Sequence, residues 1–224
     1  MKSFSAGGMA LAGWLAALMI GCDAGERNGA AAVPDGARGD SPAADRGAVT
    51  DLSPRNETGV VLFVGTSLTA GLGVAEAQSF PLLIGQKIDS AGLPFRVVNA
   101  GVSGETSAGA LSRLDWVLRQ PFDVVVLETG ANDMLRGQPP RAIEENIQAI
   151  IDRVRERRPE ARIVLAGMLA APNLGPRYVR EFEAIYPRLA ERNDLTLIPF
   201  LLEGVAAVPV LNQGDGIHPN PEGH

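Results

Sequence analysis

The sequence is poor in the residue types that disulfides, metal sites and nucleic-acid surfaces need. Cys22 is its only cysteine, and His218 and His224 are its only two histidines. A single cysteine excludes an intrachain disulfide, and so few cysteines and histidines cannot build a typical zinc site. Aromatic residues make up 5% of the chain and the formal net charge is -6, which argues against base stacking and nucleic-acid binding. We therefore expect no metal, no other cofactor and no nucleic-acid partner.

Residues 1–22 resemble a bacterial export signal. Lys2 precedes a largely apolar stretch, Met9–Ile20, and a glycine and Cys22 follow. A basic start, a short apolar segment and a small residue before the cleavage point are typical of a secretory signal, and the stretch is too short for a comfortable membrane span. "LMIGCDAG" is also similar to the lipoprotein signal, although Met19 stands where leucine is commoner. We predict export to the cell envelope or periplasm with a lipidated Cys22; an incidental cysteine in an ordinary secretory signal is the alternative.

Composition divides the remaining chain near residue 58. Residues 23–57 are dominated by Ala, Gly, Asp, Arg and Pro and have few large apolar residues. Such a segment buries too little surface to offset the entropy lost on ordering, so we predict a flexible linker. From Gly59 onward, apolar β-branched runs alternate with helical patterns. We predict one folded domain over residues 58–224.

The alternation of strand and helix patterns predicts an α/β fold with a five-stranded parallel sheet and helices on both faces. Continuous apolar runs such as "VVVL" favour strands that are buried on both sides. The candidate strands are Val60–Val64, Arg96–Asn99, Asp123–Glu128, Arg162–Met168 and Leu195–Pro199.

Three helices are predicted between these strands. The clearest carries an apolar stripe at helical spacing, made of Ile143, Ile147, Ile150, Ile151 and Val154. A second runs from about Ala108 to Leu118, with Thr106 or Ser107 as its N-cap. A third covers residues 177–192 and should be kinked or interrupted by Pro187.

Ligands of parallel α/β sheets bind beyond the carboxyl ends of the strands. Four candidate positions satisfy this rule. Ser67 follows the first strand, Gly101 the second and Asn132 the third, while Asp215 and His218 follow the fifth at a distance. The segment around Ser67 has no G-x-x-x-x-G-K-[ST], G-x-G-x-x-G or G-x-S-x-G pattern, which argues against a phosphate loop and excludes the usual α/β-hydrolase elbow.

A serine nucleophile would need a base, an orienting acid and oxyanion donors. His218 is almost the only available base, and Asp215 lies three residues before it, a spacing that puts both side chains on one side of a turn. The amide of Asn132 and a backbone N–H at Gly101 are candidate oxyanion donors. Each position has a plainer interpretation, since Asp-Gly, His-Pro, Asn-Asp and glycine are all common in turns.

Together these blocks resemble the SGNH hydrolases, also called the GDSL family. Its four naming residues would be Ser67 in "GTSLTAG", Gly101 in "NAGVSGETS", Asn132 in "GANDML" and His218 in "DGIHPN". The longer stretches "SGETSAGALSRL", "YVREFEAIYPRLA" and "LIPFLLEGV" look like the bacterial periplasmic branch of arylesterases, acyl-CoA thioesterases and lysophospholipases. The resemblance covers residues 60–224.

That resemblance implies a three-layer flavodoxin-like fold and a serine esterase or thioesterase acting on acyl or aryl esters, including lysophospholipids and acyl thioesters. It implies Ser67 as the nucleophile, His218 as the base and Asp215 as its orienter. It also implies an oxyanion hole made of the Ser67 N–H, Gly101 and Asn132. A carbohydrate O-deacetylase of the same fold and a non-catalytic envelope lipoprotein are the alternatives.

The chain departs from the family pattern in two places. Thr66 stands where the family usually has an aspartate before the serine, which removes a charge beside the nucleophile. The family also continues past "HPNPEGH" into a closing helix, whereas this chain stops at His224. We therefore expect a domain without its final helix and a mobile loop around His218.

The acyl group of a substrate should lie against the loops that follow the third and fourth strands. Five side chains in "MLRGQPP" and "LAAPNLGPRY" are candidates for an acyl pocket, and ordinary loop packing explains each of them equally well. They are Met134, Leu135, Leu169, Leu174 and Tyr178.

Overall fold

The structure is a computed structural model that describes residues 58–224. The predicted signal segment with Cys22 and the predicted linker lie outside the described residues. Five parallel strands form one sheet in the order β2-β1-β3-β4-β5, which is the flavodoxin-like order. They are β1 (Gly59–Gly65), β2 (Phe95–Gly101), β3 (Val124–Glu128), β4 (Arg162–Ala166) and β5 (Thr196–Ile198). The predicted α/β fold with a five-stranded parallel sheet is confirmed.

Helices connect the strands and pack around the sheet. They are α1 (Ser67–Ala70), α2 (Phe80–Ser90), α3 (Ser107–Val117), α4 (Ala131–Leu135), α5 (Pro140–Arg157), α6 (Pro176–Glu183) and α7 (Ile185–Asn193). α5 packs between α3 and α7, so these three form one helical layer, while α2 packs against β2. None of the helices within residues 58–224 has the length and apolar character needed to cross a membrane.

The apolar stripe of α5 forms part of the core, as its spacing predicts. All five of its members are at most 1% exposed: Ile143, Ile147, Ile150, Ile151 and Val154. The N-terminus of α3 is also as predicted, since Thr106 Oγ1 accepts a hydrogen bond from the Gly109 N–H (3.2 Å). This cap satisfies one of the backbone donors that a helix leaves unpaired at its start.

The helical segment around Pro187 is interrupted, also as predicted. α6 ends at Glu183 and α7 begins at Ile185. Pro187 has no N–H to donate to the carbonyl of Glu183, and its ring would collide with that carbonyl in a continuous helix. A single residue, Ala184, therefore separates the two helices, and Pro187 occupies the first turn of the second one.

β1 lies between β2 and β3, and because the three strands are parallel, their carboxyl ends lie at the same edge of the sheet. Phe63 of β1 pairs with Asn99 of β2 on one side and with Val126 of β3 on the other. α1 starts directly after β1, and α4 starts shortly after β3. The carboxyl ends of these strands therefore bring Ser67 and Asn132, which are far apart in sequence, to one edge of the sheet.

Candidate active site

Ser67 is the first residue of α1, a single helical turn fixed at both ends. Thr66 is its N-cap, and Gly71 ends it in the left-handed conformation with φ 73°. The Leu72 N–H donates to the Ser67 carbonyl (3.0 Å). Only 8% of Ser67 is exposed, so its hydroxyl is held on a short, well-fastened turn rather than on a free loop.

His218 lies within hydrogen-bond distance of Ser67. Its Nε2 is 2.9 Å from Ser67 Oγ, and its Nδ1 is 2.6 Å from Asp215 Oδ2. The backbone N–H groups of Ile217 and His218 donate to the other carboxylate oxygen of Asp215 (2.9 and 3.0 Å). The serine, imidazole and carboxylate thus form one continuous chain of hydrogen bonds, as a charge-stabilised general base requires.

The Asp215 carboxylate is held in its charged form. The hydrogen bond from the His218 ring is the largest cause that lowers the pKa of Asp215 well below its usual value, and the two backbone donors lower it further. An aspartate that stays ionised can fix the imidazole tautomer, with the proton on Nδ1 and a free lone pair on Nε2.

The loop that carries His218 is fastened to the loop behind Ser67. Gln213 Nε2 donates to the carbonyls of Leu72 (2.6 Å) and Pro219 (2.8 Å), and the Gln213 N–H donates to the His218 carbonyl (2.8 Å). Sequence reasoning missed Gln213, and its position before "GDGIHPN" gives no signal of a partner 141 residues away. The expected mobility of the loop stays a prediction.

The other histidine, His224, packs away from the serine. Its ring stacks on Phe80, with centroids 6.4 Å apart and an interplanar angle of 16°. Its Nδ1 accepts the Phe80 N–H (3.3 Å), and burial lowers its pKa. His218 is therefore the histidine that the fold brings to Ser67.

Asn132 lies in α4 and is held by the segment between β2 and α3. Its Nδ2 donates to the Glu105 carbonyl (3.0 Å). Glu105 is itself fixed by an ion pair with Arg113 (2.6 Å), and Arg113 also donates to the Ala100 carbonyl (2.7 Å). An amide nitrogen carries two N–H groups, so one remains for a ligand after the bond to Glu105.

Comparison with known proteins shows the family of the chain. The model of the GDSL-like Lipase/Acylhydrolase family matches residues 63–224. The chain belongs to this family. It is 39% identical to the esterase TesA of Pseudomonas aeruginosa, over 71% of this chain and 79% of that protein. It is 38% identical to thioesterase 1/protease 1/lysophospholipase L1 of Escherichia coli, over 71% and 75%.

A comparison with a solved structure also points to this family. The esterase AlinE4, described as an SGNH-hydrolase family esterase, superposes with a TM-score of 0.68 at 42% identity, covering 75% of this chain and 89% of that one. The protein is thus a carboxylic-ester hydrolase of the GDSL, or SGNH, family, and the resemblance noted in the sequence is confirmed.

Within this GDSL-family fold, the N–H of Gly101, which the resemblance implies as an oxyanion donor, is already occupied. Its N–H already donates to Asn99 Oδ1 (2.9 Å), whose Nδ2 donates to the Thr69 carbonyl (2.8 Å). A β-carbon at position 101 would lie 2.8 Å from the Thr69 carbonyl carbon and 2.9 Å from Ala70 Cα. Glycine is needed here because the backbone of β2 passes directly against α1.

Gly104, which sequence reasoning missed, lies three residues after Gly101 and differs from it in its hydrogen bonding. It has a left-handed φ of 78°, and its N–H has no hydrogen-bond partner among residues 58–224. Its carbonyl accepts from Arg136 Nη2 (2.8 Å), and the next residue, Glu105, holds Asn132. Of the two glycines in "NAGVSGETS", the second therefore has the unoccupied N–H beside Asn132.

The five candidate acyl-binding residues of this hydrolase differ in how far they are exposed to solvent. Leu135 and Leu169 are 56% and 49% exposed beyond the ends of β3 and β4. Leu174 and Tyr178 are partly buried against the core, and the Tyr178 hydroxyl donates to the Gln138 carbonyl (2.7 Å). The structure corrects the expectation for Met134, which is 6% exposed and packs in the core, so it offers almost no surface to an acyl chain.

Thr66, the residue that departs from the family pattern, bonds to a buried acid. Its N–H donates to Glu128 Oε2 (2.7 Å), and its hydroxyl donates to Glu128 Oε1 (2.8 Å). Glu128 ends β3 and is 0% exposed. Sequence reasoning placed Glu128 only in a strand, although a charged residue at the end of the apolar run "VVVL" was a signal that a partner must exist.

Proposed function

We propose that Ser67 is the nucleophile of this ester hydrolase, His218 its general base and Asp215 the carboxylate that orients the base. The observation that carries the proposal is the continuous chain from Ser67 Oγ through His218 to Asp215, with contacts of 2.9 and 2.6 Å. These distances lie within the range in which a base can accept the serine proton. The Asp215 carboxylate also stabilises the imidazolium that forms during the transfer.

Acyl transfer takes place in two steps on these residues. As Ser67 Oγ bonds to the carbonyl carbon, its proton passes to His218 Nε2. The tetrahedral intermediate then collapses, and the alcohol or thiol leaves with the proton from His218. Water attacks the acyl-serine with His218 again acting as the base, which releases the acid and restores the Ser67 hydroxyl.

The oxyanion of the intermediate is bound by the backbone N–H groups of Ser67 and Gly104 and by the side chain of Asn132. Two observations support Gly104 in place of Gly101: the Gly101 N–H is occupied by Asn99, and Glu105 ties the segment after Gly104 to Asn132. Preorganised uncharged donors stabilise the developing charge without having to reorganise during the reaction.

The substrates are acyl esters and thioesters whose apolar chain lies against Leu135 and Leu169. Both side chains are exposed and follow strands whose ends point to the same edge as Ser67. The activities in the names of the relatives, esterase TesA and thioesterase 1/protease 1/lysophospholipase L1, support this substrate class. Leu169→Ser should raise KM for long-chain p-nitrophenyl esters more than for the acetate, and equal changes across acyl lengths would exclude this surface.

The enzyme acts in the bacterial cell envelope, held there by a lipid on Cys22. The order of Lys2, the apolar stretch 9–20 and Cys22 supports export and lipidation. Metabolic labelling with a clickable palmitate analogue should mark the full chain and leave Cys22→Ser unmarked. Labelling of both proteins would rule out Cys22 as the acceptor.

A serine-reactive fluorophosphonate probe tests the nucleophile. The full-length protein should be labelled and should hydrolyse p-nitrophenyl butyrate, whereas Ser67→Ala should lose both properties. Ser112→Ala is the matched control, because Ser112 is an exposed serine on α3 whose hydroxyl only donates to the Gly109 carbonyl. A Ser67→Ala protein as active as the unmodified enzyme would refute the proposal.

A further inference from the structure

Glu128 is a buried acid for which the acyl-transfer steps have no use. It is the last residue of β3 and is 0% exposed. No lysine, arginine or histidine between residues 58 and 224 lies within ion-pair distance of it. Burying a carboxyl group without a cation costs folding free energy unless several hydrogen-bond donors face it. The donors that face Glu128 therefore show which part of the protein it holds.

All the donors that face Glu128 come from the turn that carries Ser67. The Thr66 N–H and the Thr69 hydroxyl donate to Oε2 (2.7 and 2.8 Å), and the Thr66 hydroxyl reaches both carboxyl oxygens (2.8 and 3.0 Å). Thr66 immediately precedes the serine and Thr69 follows it by two residues. The carboxyl group therefore holds the turn on both sides of the nucleophile.

The titratable neighbours of Glu128, Tyr186 and Asp133, do not offer it another partner. Burial, and then the charges of Glu128 and Asp133, raise the pKa of Tyr186 well above its usual value, and the Tyr186 hydroxyl donates to the Thr129 carbonyl (2.9 Å). Asp133 accepts from the N–H and hydroxyl of Ser107 (both 2.7 Å). Both groups are occupied elsewhere, so the bonds to Thr66 and Thr69 are specific to Glu128.

We propose that Glu128 is the positioning residue of the nucleophile, and that Thr66 and Thr69 are the two side chains through which it fixes the Ser67 turn. The proposal rests on Ser67 being the nucleophile. The hydrogen bonds inside α1 hold its residues to one another but do not attach this single turn to the sheet. The bonds from Thr66 and Thr69 to the end of β3 provide that attachment, and they fix the position from which the Ser67 hydroxyl meets His218.

This arrangement also explains why threonine is acceptable at position 66. The position needs a backbone N–H and a side chain that can bond to a carboxyl group. The threonine hydroxyl provides that bond as a donor and adds no second negative charge beside a buried acid.

The test removes the hydrogen bonds between Glu128 and the Ser67 turn by mutation and measures kcat and KM separately. Glu128→Met keeps the side-chain length but removes every acceptor, and misplacement of a reacting group by about 1 Å lowers turnover about 100-fold. We expect kcat for p-nitrophenyl butyrate to fall by that factor, with KM little changed. Glu128→Gln should recover most of the activity, because its amide oxygen can accept the Thr66 N–H and the Thr69 hydroxyl.

Val154→Ala is the control for stability. Val154 is 1% exposed near the C-terminus of α5, at the amino edge of the sheet and away from Ser67. It should lower the melting temperature while kcat, measured well below that temperature, stays unchanged. If Glu128→Met does not fold, Thr66→Val combined with Thr69→Val removes both hydroxyl donors and keeps the buried acid, and kcat should again fall with KM little changed.

The outcomes separate this proposal from the assignment of Ser67. Full activity in Ser67→Ala would refute the nucleophile and this inference together. An inactive Ser67→Ala, combined with a kcat in folded Glu128→Met or in the double valine variant that matches Val154→Ala, would refute only the positioning role. A selective loss of kcat that the glutamine variant restores would support it.

Discussion

Replacing Thr66 with aspartate should make the stability of the protein strongly dependent on pH. The Thr66 hydroxyl lies 2.8 and 3.0 Å from the two oxygens of Glu128. An aspartate there would bring a second carboxyl group to about 3 Å from a buried acid. Two carboxyl groups at such a short distance share one proton instead of both ionising. The folded state of Thr66→Asp would then keep a proton that the unfolded state releases.

The magnitude follows from this distance. Two unit charges about 3 Å apart repel by about 5 kcal/mol at an effective dielectric constant of about 20, and this repulsion raises the pKa of one of the two carboxyl groups. Burial already raises the pKa of Glu128 in the unmodified protein, against the hydrogen bonds from Thr66 and Thr69 that lower it. The two effects add in the same direction.

The sign of the pH dependence follows from linkage. A carboxyl group whose pKa is higher in the folded than in the unfolded state contributes stability that is fully present below its unfolded pKa, near about 4.3 for glutamate. That contribution is lost as the pH rises through the folded pKa. While the folded protein holds one extra proton, its free energy of unfolding falls by about 1.4 kcal/mol for each pH unit.

Urea denaturation from pH 5 to pH 9 measures this effect, with Thr66→Asn as the neutral control of the same shape. The free energy of unfolding of Thr66→Asn should level off once Glu128 is ionised. That of Thr66→Asp should keep falling, so that the two curves separate by about 4 kcal/mol over about three pH units. Parallel curves over the whole range would refute the close contact between position 66 and Glu128.

Three further predictions concern the site itself. Asn132→Ala removes one oxyanion donor and should lower kcat for p-nitrophenyl butyrate about 10²- to 10³-fold with a small change in KM; an unchanged kcat would contradict its role. Asp215→Asn should lower kcat/KM by between about 10² and 10⁴. An unchanged kcat/KM would contradict the orienting role of Asp215, whose pKa in the unmodified enzyme lies well below the usual range. Gly101→Ala forces a β-carbon to within 2.9 Å of the backbone of α1 and should reduce the free energy of unfolding in urea by about 1–3 kcal/mol. A variant that keeps its full stability but loses activity would instead support Gly101 as an oxyanion donor.

Most of the fold could be predicted because its signals are local. All five strands lie within two residues of their predicted bounds, since apolar β-branched runs between turn residues define them. The break near Pro187 follows from the chemistry of one residue. β5 is shorter than predicted because it pairs only with Val164–Ala166 of β4, and the length of an edge strand depends on its partner rather than on its own sequence.

Site residues could be predicted from the sequence only where few residues of the required type are present. His218 was identified because the chain has two histidines, and Asp215 because it lies three residues away. The sequence could not distinguish Gly101 from Gly104 for a different reason: which N–H in "NAGVSGETS" stays unoccupied depends on the side chain of Asn99. Glu128 was not recognised, because its partner Thr66 lies 62 residues away and only the pairing of β1 with β3 brings them together.

The contact between Thr66 and Glu128 changes how the residue beside the nucleophile should be judged. Considered alone, a threonine in place of aspartate looks like the loss of a catalytic charge. Together with Glu128 it is one of two ways to bond a buried carboxyl group: an aspartate must share a proton with it, whereas a threonine donates to it directly. The requirement at position 66 is therefore a hydrogen bond to the end of β3 and not a charge. By this reasoning Thr66→Ser should keep nearly full activity and Thr66→Val should not, although valine has the same shape as threonine.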